Sequence, residues 1–264
     1  MPPSLALIRP RRAPPIAHRR SPASVDPVAR RTFPLTRISL FAALAGSDEP
    51  KRVAAVDVLS RAYWGPVAAL FEFRWNMPRA DAEDLTQDFF AEALSKEWFH
   101  RYDPARGRFR TFIRTCVDRY ASNARKAGQR LKRGGGIPDE PLDLAEADGA
   151  SVPDETDARI HAEWVRGVLS VALEQFQVAA GDAGKRTQYA VFTAYDVDDP
   201  PDDRRPSYRD LAARFAIPET QVTNYLAWAR REYRGHVLAA LRSLAGNDAE
   251  FRDDARDLLG SRLP

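Results

Sequence analysis

The residues best suited to chemistry form a run of carboxylates, Asp81-Ala82-Glu83-Asp84-Leu85-Thr86-Gln87-Asp88-Phe89-Phe90. At about 100° per residue, a helix carries Asp81, Asp84, Asp88 and Glu92 on one stripe, with Ala82, Phe89 and Ala93 on the adjacent face. Clustered carboxylates serve acid–base catalysis and metal binding, but nothing beside these completes either. The four histidines (18, 100, 161 and 236) are scattered and have no Cys or carboxylate at ligand spacing, which argues against zinc. With no nucleophile in the pattern, no catalytic residue, metal or cofactor is expected. Like charges at i, i+3 and i+4 repel on an isolated helix. A basic partner surface would relieve that repulsion, and a plain solvated face is the alternative.

Two further stretches suit nucleic acid. Phe109 to Lys126 mixes basic and aromatic residues, in which Arg110, Arg114, Arg119, Arg125 and Lys126 can meet phosphates, while Tyr120 and Asn123 can meet bases. Spacing assigns Phe109, Phe112 and Cys116 to the core. Ser207 to Phe215 is a short amphipathic pattern with Ser207 as N-cap, followed by the tight connection Ala216-Ile217-Pro218 and a longer helix. Val222, Leu226 and Ala229 face inward there, leaving Thr220, Gln221, Thr223, Asn224, Trp228 and Arg231 outward. Gln and Asn can read adenine edges, and Arg230, Arg231 and Arg234 can engage phosphates, as in a helix-turn-helix. Short helix pairs of this kind also occur in many folds without DNA.

The elements that must position these residues are all helical. Helical periodicity starts near Thr36 and is interrupted at Gly46–Pro50. It runs from Lys51 to Asn76, where Pro66 is expected to kink or divide the helix. Asp81–Trp98 and Phe109 to about Arg130 follow, separated by the Asp103–Gly107 break. Gly134-Gly135-Gly136-Ile137-Pro138 stops helical structure, and an acidic stretch reaches about Asp157. Helices are expected again over Arg159–Val178, Lys185–Tyr195, Ser207–Ala216 and Glu219–Leu244, with a short tail helix at Ala249–Leu259. The acidic Asp196–Pro206 stretch reads as a solvated loop. No strand pattern appears.

Charge is segregated although the net is only +3. Residues 101–133 hold eleven Arg or Lys against Asp103 and Asp118, whereas residues 139–157 hold eight acids and no base. The single Cys116 cannot form an internal disulfide, which fits a reducing, cytoplasmic setting. No stretch approaches the length of a membrane span. Arg30-Arg31-Thr32-Phe33-Pro34-Leu35 vaguely resembles a twin-arginine signal, but Arg37 directly precedes a short apolar run that continues into the helical pattern. The expected organisation is a basic extension (1–35), a helical domain (36–133), an acidic linker (134–158), a second helical domain (159–245) and a tail (246–264).

Acidic helix, basic-aromatic helix, tether and helix-turn-helix, in this order, resemble a sigma factor of the extracytoplasmic-function class. The resemblance is carried by Asp81–Phe90, the Asp-Pro-Ala-Arg-Gly-Arg-Phe-Arg-Thr-Phe run at 103–112, Lys132-Arg133-Gly134-Gly135-Gly136, and Ser207–Arg230. It implies an all-α fold with a region 2 helical bundle and a region 4 helix-turn-helix. It also implies core RNA polymerase and promoter DNA as partners, with an anti-sigma protein as a further candidate. Asp81, Asp84, Leu85, Gln87, Asp88 and Phe89 would then dock on the polymerase, and the Phe109–Lys126 helix would recognise the minus-ten element. Thr220–Arg234, Tyr225 included, would read the minus-thirty-five element. The chain departs from the family pattern at Thr223, Tyr225 and Trp228, where basic residues are usual, and at Arg119, where Asn is common. Two other readings stay open: a stand-alone helix-turn-helix regulator, and a helical interaction protein that never touches DNA.

Overall fold

The computed structural model describes residues 40–131, 154–198 and 204–260. The 1–35 extension, the Lys132–Gly136 run, most of the acidic linker and part of the 196–206 loop lie outside the described residues. Every regular element among the described residues is helical: α1 (Leu40–Ala45), α2 (Glu49–Ala69), α3 (Arg79–Ser95), α4 (Phe109–Leu131), α5 (Asp154–Asp182), α6 (Arg186–Phe192), α7 (Tyr208–Phe215), α8 (Glu219–Leu244) and α9 (Asp248–Leu259). π-helical turns extend α2 at Leu70–Arg74 and α6 at Thr193–Val197, and a 3-10 turn covers Trp98–Arg101. Helix α5 starts a few residues before the expected Arg159. No described helix is long and apolar enough to cross a membrane.

The described residues fall into two compact units, one of residues 40–168 with 240–260 and one of residues 169–239. Helices α5 and α8 each contribute to both. In the larger unit, Asp48 caps α2 by accepting from the Lys51 amide at 3.2 Å. Pro66 does not divide that helix, which runs on to Ala69 before opening into the π turn. Pro66 has no N–H, so the Ala62 carbonyl one turn earlier cannot take its usual helical bond. Gly167 of α5 crosses against that carbonyl, so closely that a Cβ there would lie 2.3 Å from Ala62 O. The proline and the glycine together permit one tight helix crossing.

The π turn has a structural purpose. It delivers Arg74 and Trp75 to Asp118 of α4, whose carboxylate accepts from Arg74 Nε at 2.6 Å and Trp75 Nε1 at 3.1 Å. One of the two acids in the basic block is therefore an internal anchor. Aromatic residues fill the space between: Phe71, Phe89, Phe90, Trp98, Phe99 and Phe109 are all buried. Their rings meet mostly edge-on or tilted, the favoured geometry for quadrupolar faces. Cys116 is buried among them, its thiol pushed up to about 12 by desolvation, which makes it an inert core residue.

The smaller unit closes around Phe176, Val191, Phe192, Leu211, Val222, Leu226 and Ala229. Ser207 and Asp210 form a reciprocal capping box at the start of α7. Ala216 ends α7 in the left-handed region, with φ at 51°. That conformation strains any residue carrying a Cβ, so Ala216→Gly is expected to stabilise this unit by about 0.5–1 kcal/mol, read as a raised urea midpoint. Here φ > 0 offsets the extra chain entropy of glycine, and an unchanged or lowered midpoint would contradict the strain.

Candidate functional site

Helix α3 presents its acids as its pattern requires. Asp81, Asp84, Gln87 and Asp88 are exposed and Leu85 is half-buried, because Ala82, Thr86, Phe89, Phe90 and Ala93 take the core face. Thr86 avoids a buried unpaired hydroxyl by donating to the Ala82 carbonyl at 2.6 Å. Phe89 belongs to the core rather than to the surface. It is 0% exposed, with ring centroids of Phe90, Tyr120 and Trp98 at 5.4, 5.6 and 5.8 Å. Glu83 and Glu92 are paired along the helix with Arg79 and Lys96. The stripe Asp81, Asp84 and Asp88 has no basic partner among the described residues, so its negative charge faces outward.

Helix α4 holds the basic residues in two different states. Arg125 and Lys126, near its C-terminal end, are exposed, and Arg119, Tyr120 and Asn123 are half-buried. Tyr120 packs against Phe71, Phe89 and Trp98, and burial pushes its phenol up to about 12, helped by the nearby Glu92 and Asp88. Arg110 and Arg114 are committed within the unit. Arg114 bonds Asp157 of α5 at 3.1 Å. Arg110 bonds Asp254 of α9 at 2.5 Å and lies 4.2 Å from the centroid of the Trp164 ring. Nothing in the local pattern announces these partners. The tail helix also meets Arg108, which bonds Asp253 at 2.6 Å and which sequence reasoning left out of the site.

Asp254 is 3% exposed, and burial raises its carboxyl from the ordinary 3.8 to about 6, against the pull of Arg110 and Arg108. The folded state therefore holds a proton more tightly than the unfolded chain between about pH 4 and 6, and this contribution to stability grows as pH falls through 6. Relative to Asp254→Asn, the wild type is expected to gain in Tm between pH 7.5 and 5. Neighbouring His161, held below its ordinary value by burial and Arg110, works in the opposite direction but is common to both proteins. A constant difference in Tm across that range would contradict the assignment.

In the smaller unit, the start of α8 leaves Thr220, Gln221, Thr223 and Asn224 exposed, with Arg231 on the same helix. Tyr225 and Trp228 pack against the core instead, with the Trp228 ring 5.7 Å from Phe176. For Trp228 this differs from the outward position its spacing suggested. Arg230 is gripped by Asp196 through two bonds at 2.8 and 3.0 Å, so the first acid of the 196–206 loop is a structural partner. Arg234 is half-buried. The outward polar set is thus Thr220, Gln221, Thr223, Asn224 and Arg231.

Among the described residues no cluster of three His, Cys, Asp or Glu could hold a metal. The site is an exposed acidic helix followed, through a 3-10 turn and a short loop, by a long basic one. Comparison with protein families gives that pair a name. Residues 72–131 match sigma-70 region 2. The match takes in all of α3 and α4 and supports a sigma-70 family factor, a class of non-enzymatic transcription initiation factors that work with RNA polymerase at promoters. The smaller unit and α9 fall outside the matched segment. No curated protein and no solved structure matches the chain.

Proposed function

We propose that this chain is a promoter-specific initiation factor of the extracytoplasmic-function class, acting in the cytoplasm. Asp81, Asp84, Leu85, Gln87 and Asp88 would engage a basic surface of core RNA polymerase. The exposed and half-buried residues of α4, from Arg119 to Lys126, would meet the minus-ten element. Thr220, Gln221, Thr223, Asn224 and Arg231 of α8 would meet the minus-thirty-five element as the second helix of a helix-turn-helix. The observation that carries this reading is the sigma-70 region 2 match over α3 and α4, joined to the unneutralised acidic stripe within it. An anti-sigma protein would be a natural further partner for the same surfaces.

A second reading, a stand-alone helix-turn-helix regulator, is favoured only by α7 and α8 and gives α3 no role. Run-off transcription with core polymerase, the purified full chain and a library of genomic promoters separates the two. New discrete start sites that need the chain are expected. Sequence-specific duplex binding by the chain alone, with no transcripts, would favour the regulator.

A further inference from the structure

Helix α9 buries acids as well as apolar side chains. Among its residues Glu250, Asp254 and Ala255 are buried, and Phe251, Leu258 and Leu259 are half-buried. It carries five acids and two arginines. Asp253 and Asp254 face Arg108 and Arg110 at the start of α4, with N–O distances of 2.6 Å for Arg108–Asp253, 3.7 Å for Arg108–Asp254 and 2.5 Å for Arg110–Asp254. Asn247 holds the hinge, accepting from the Glu250 amide at 2.9 Å and donating to the Pro104 carbonyl at 3.2 Å.

We propose that Arg108 and Arg110 form a nucleic-acid phosphate site whose resting occupant is α9, so that the C-terminal helix masks the start of the basic helix until DNA displaces it. The inference rests on the reading of α4 as the DNA-contacting helix and adds a competitor to it. A guanidinium grips a phosphate with the same fork geometry it uses for a carboxylate. A docked Asp254 must be desolvated, and that cost offsets part of its attraction to the arginines. Ala255 is the one apolar side chain of α9 that is fully buried, with Phe251, Leu258 and Leu259 half-buried beside it. The Arg108–Asp253 pair, with side chains 40% and 45% exposed, is weakened by salt and by competing polyanions. The contact is therefore exchangeable.

The test is fluorescence anisotropy of a labelled, mixed-sequence single-stranded DNA oligonucleotide titrated with the full chain, wild type against Asp253→Asn/Asp254→Asn. A helix docked about nine-tenths of the time lowers apparent affinity about tenfold, so the variant is expected to bind about tenfold tighter. Two regained phosphate contacts should also steepen the dependence of log K on log salt by about 1.4. Equal affinity and slope in a variant that still melts cooperatively would overturn the mask while leaving DNA binding intact. Absence of binding by both proteins would overturn the DNA reading beneath it, and the mask with it. Should the double variant fail to fold, Asp253→Asn alone decides, because that carboxylate is half-exposed; tighter binding supports the mask and unchanged binding overturns it.

Discussion

Asp84→Lys/Asp88→Lys is expected to lower affinity for core RNA polymerase by about a hundredfold or more, while the protein melts at or slightly above the wild-type temperature. The two halves of this result have separate causes. Both side chains are exposed and unpaired with bases among the described residues, so the fold loses nothing when they change. New lysines at 84 and 88 would sit one turn from Asp81 and Glu92, replacing repulsion with i, i+3 and i, i+4 attraction worth about 0.2–0.5 kcal/mol per pair. At an interface, by contrast, reversal sets like charge against like and costs several kcal/mol. Each 1.4 kcal/mol is about tenfold in Kd. Pull-down and equilibrium titration with core polymerase measure the first half, and thermal melting the second. Unchanged polymerase affinity would remove α3 from the docking surface.

The second large effect concerns the crossing of α2 and α5. Gly167→Ala is expected to destabilise the larger unit by about 3 kcal/mol, since the added methyl meets backbone and not a movable side-chain end. Its Cβ would lie 2.3 Å from Ala62 O and 2.9 Å from Ala62 C, so the helices must part. For a chain of this size that is a fall in Tm of roughly 6–12 °C. Gly65, whose Cβ would lie 3.1 Å from the flexible Glu163 carboxylate, is the matched control: there alanine is expected to change Tm little. Similar shifts at both positions would show that loss of glycine, and not the crossing, sets the cost.

Much of the fold could be read from the sequence because helical periodicity is a local signal. The acidic stripe of α3, the inward set Val222, Leu226 and Ala229 of α8, the Ser207 cap and the buried Cys116 all follow from spacing of three or four residues. What spacing cannot show is which long-range partner a charged residue has. Arg110 finds Asp254 across 144 positions, Arg114 finds Asp157 across 43 and Arg230 finds Asp196 across 34. Three arginines that read as DNA ligands are therefore held, at rest, by internal carboxylates. Trp228 differs from its spacing for a related reason, since an aromatic at the edge of an apolar stripe faces in or out according to the helices that cover it, whereas Phe89 is buried with Ala82 and Ala93 as its spacing places it. Pro66 shows the converse, since the helix runs through it unbroken and the carbonyl it leaves is crossed closely by a glycine 101 positions away.

The tail helix α9 changes how the site works. The sequence gives its short amphipathic pattern, with Phe251, Ala255, Leu258 and Leu259, the look of a cover for an apolar surface. In the structure it also makes ionic contacts, to Arg108 and Arg110 at the entry to α4, inside the segment that matches sigma-70 region 2. Its hinge is as specific as its contacts. A Cβ at Gly246 would lie 2.0 Å from the Tyr102 hydroxyl, so the chain can turn into α9 there only with glycine unless Tyr102 moves.

Docking of α3 on the polymerase is measured by equilibrium titration of the labelled full chain with purified bacterial core RNA polymerase. Saturable one-to-one binding is expected, falling with rising salt and lost in the Asp84→Lys/Asp88→Lys protein. No binding at micromolar polymerase, or equal binding by the charge-reversed protein, would contradict it.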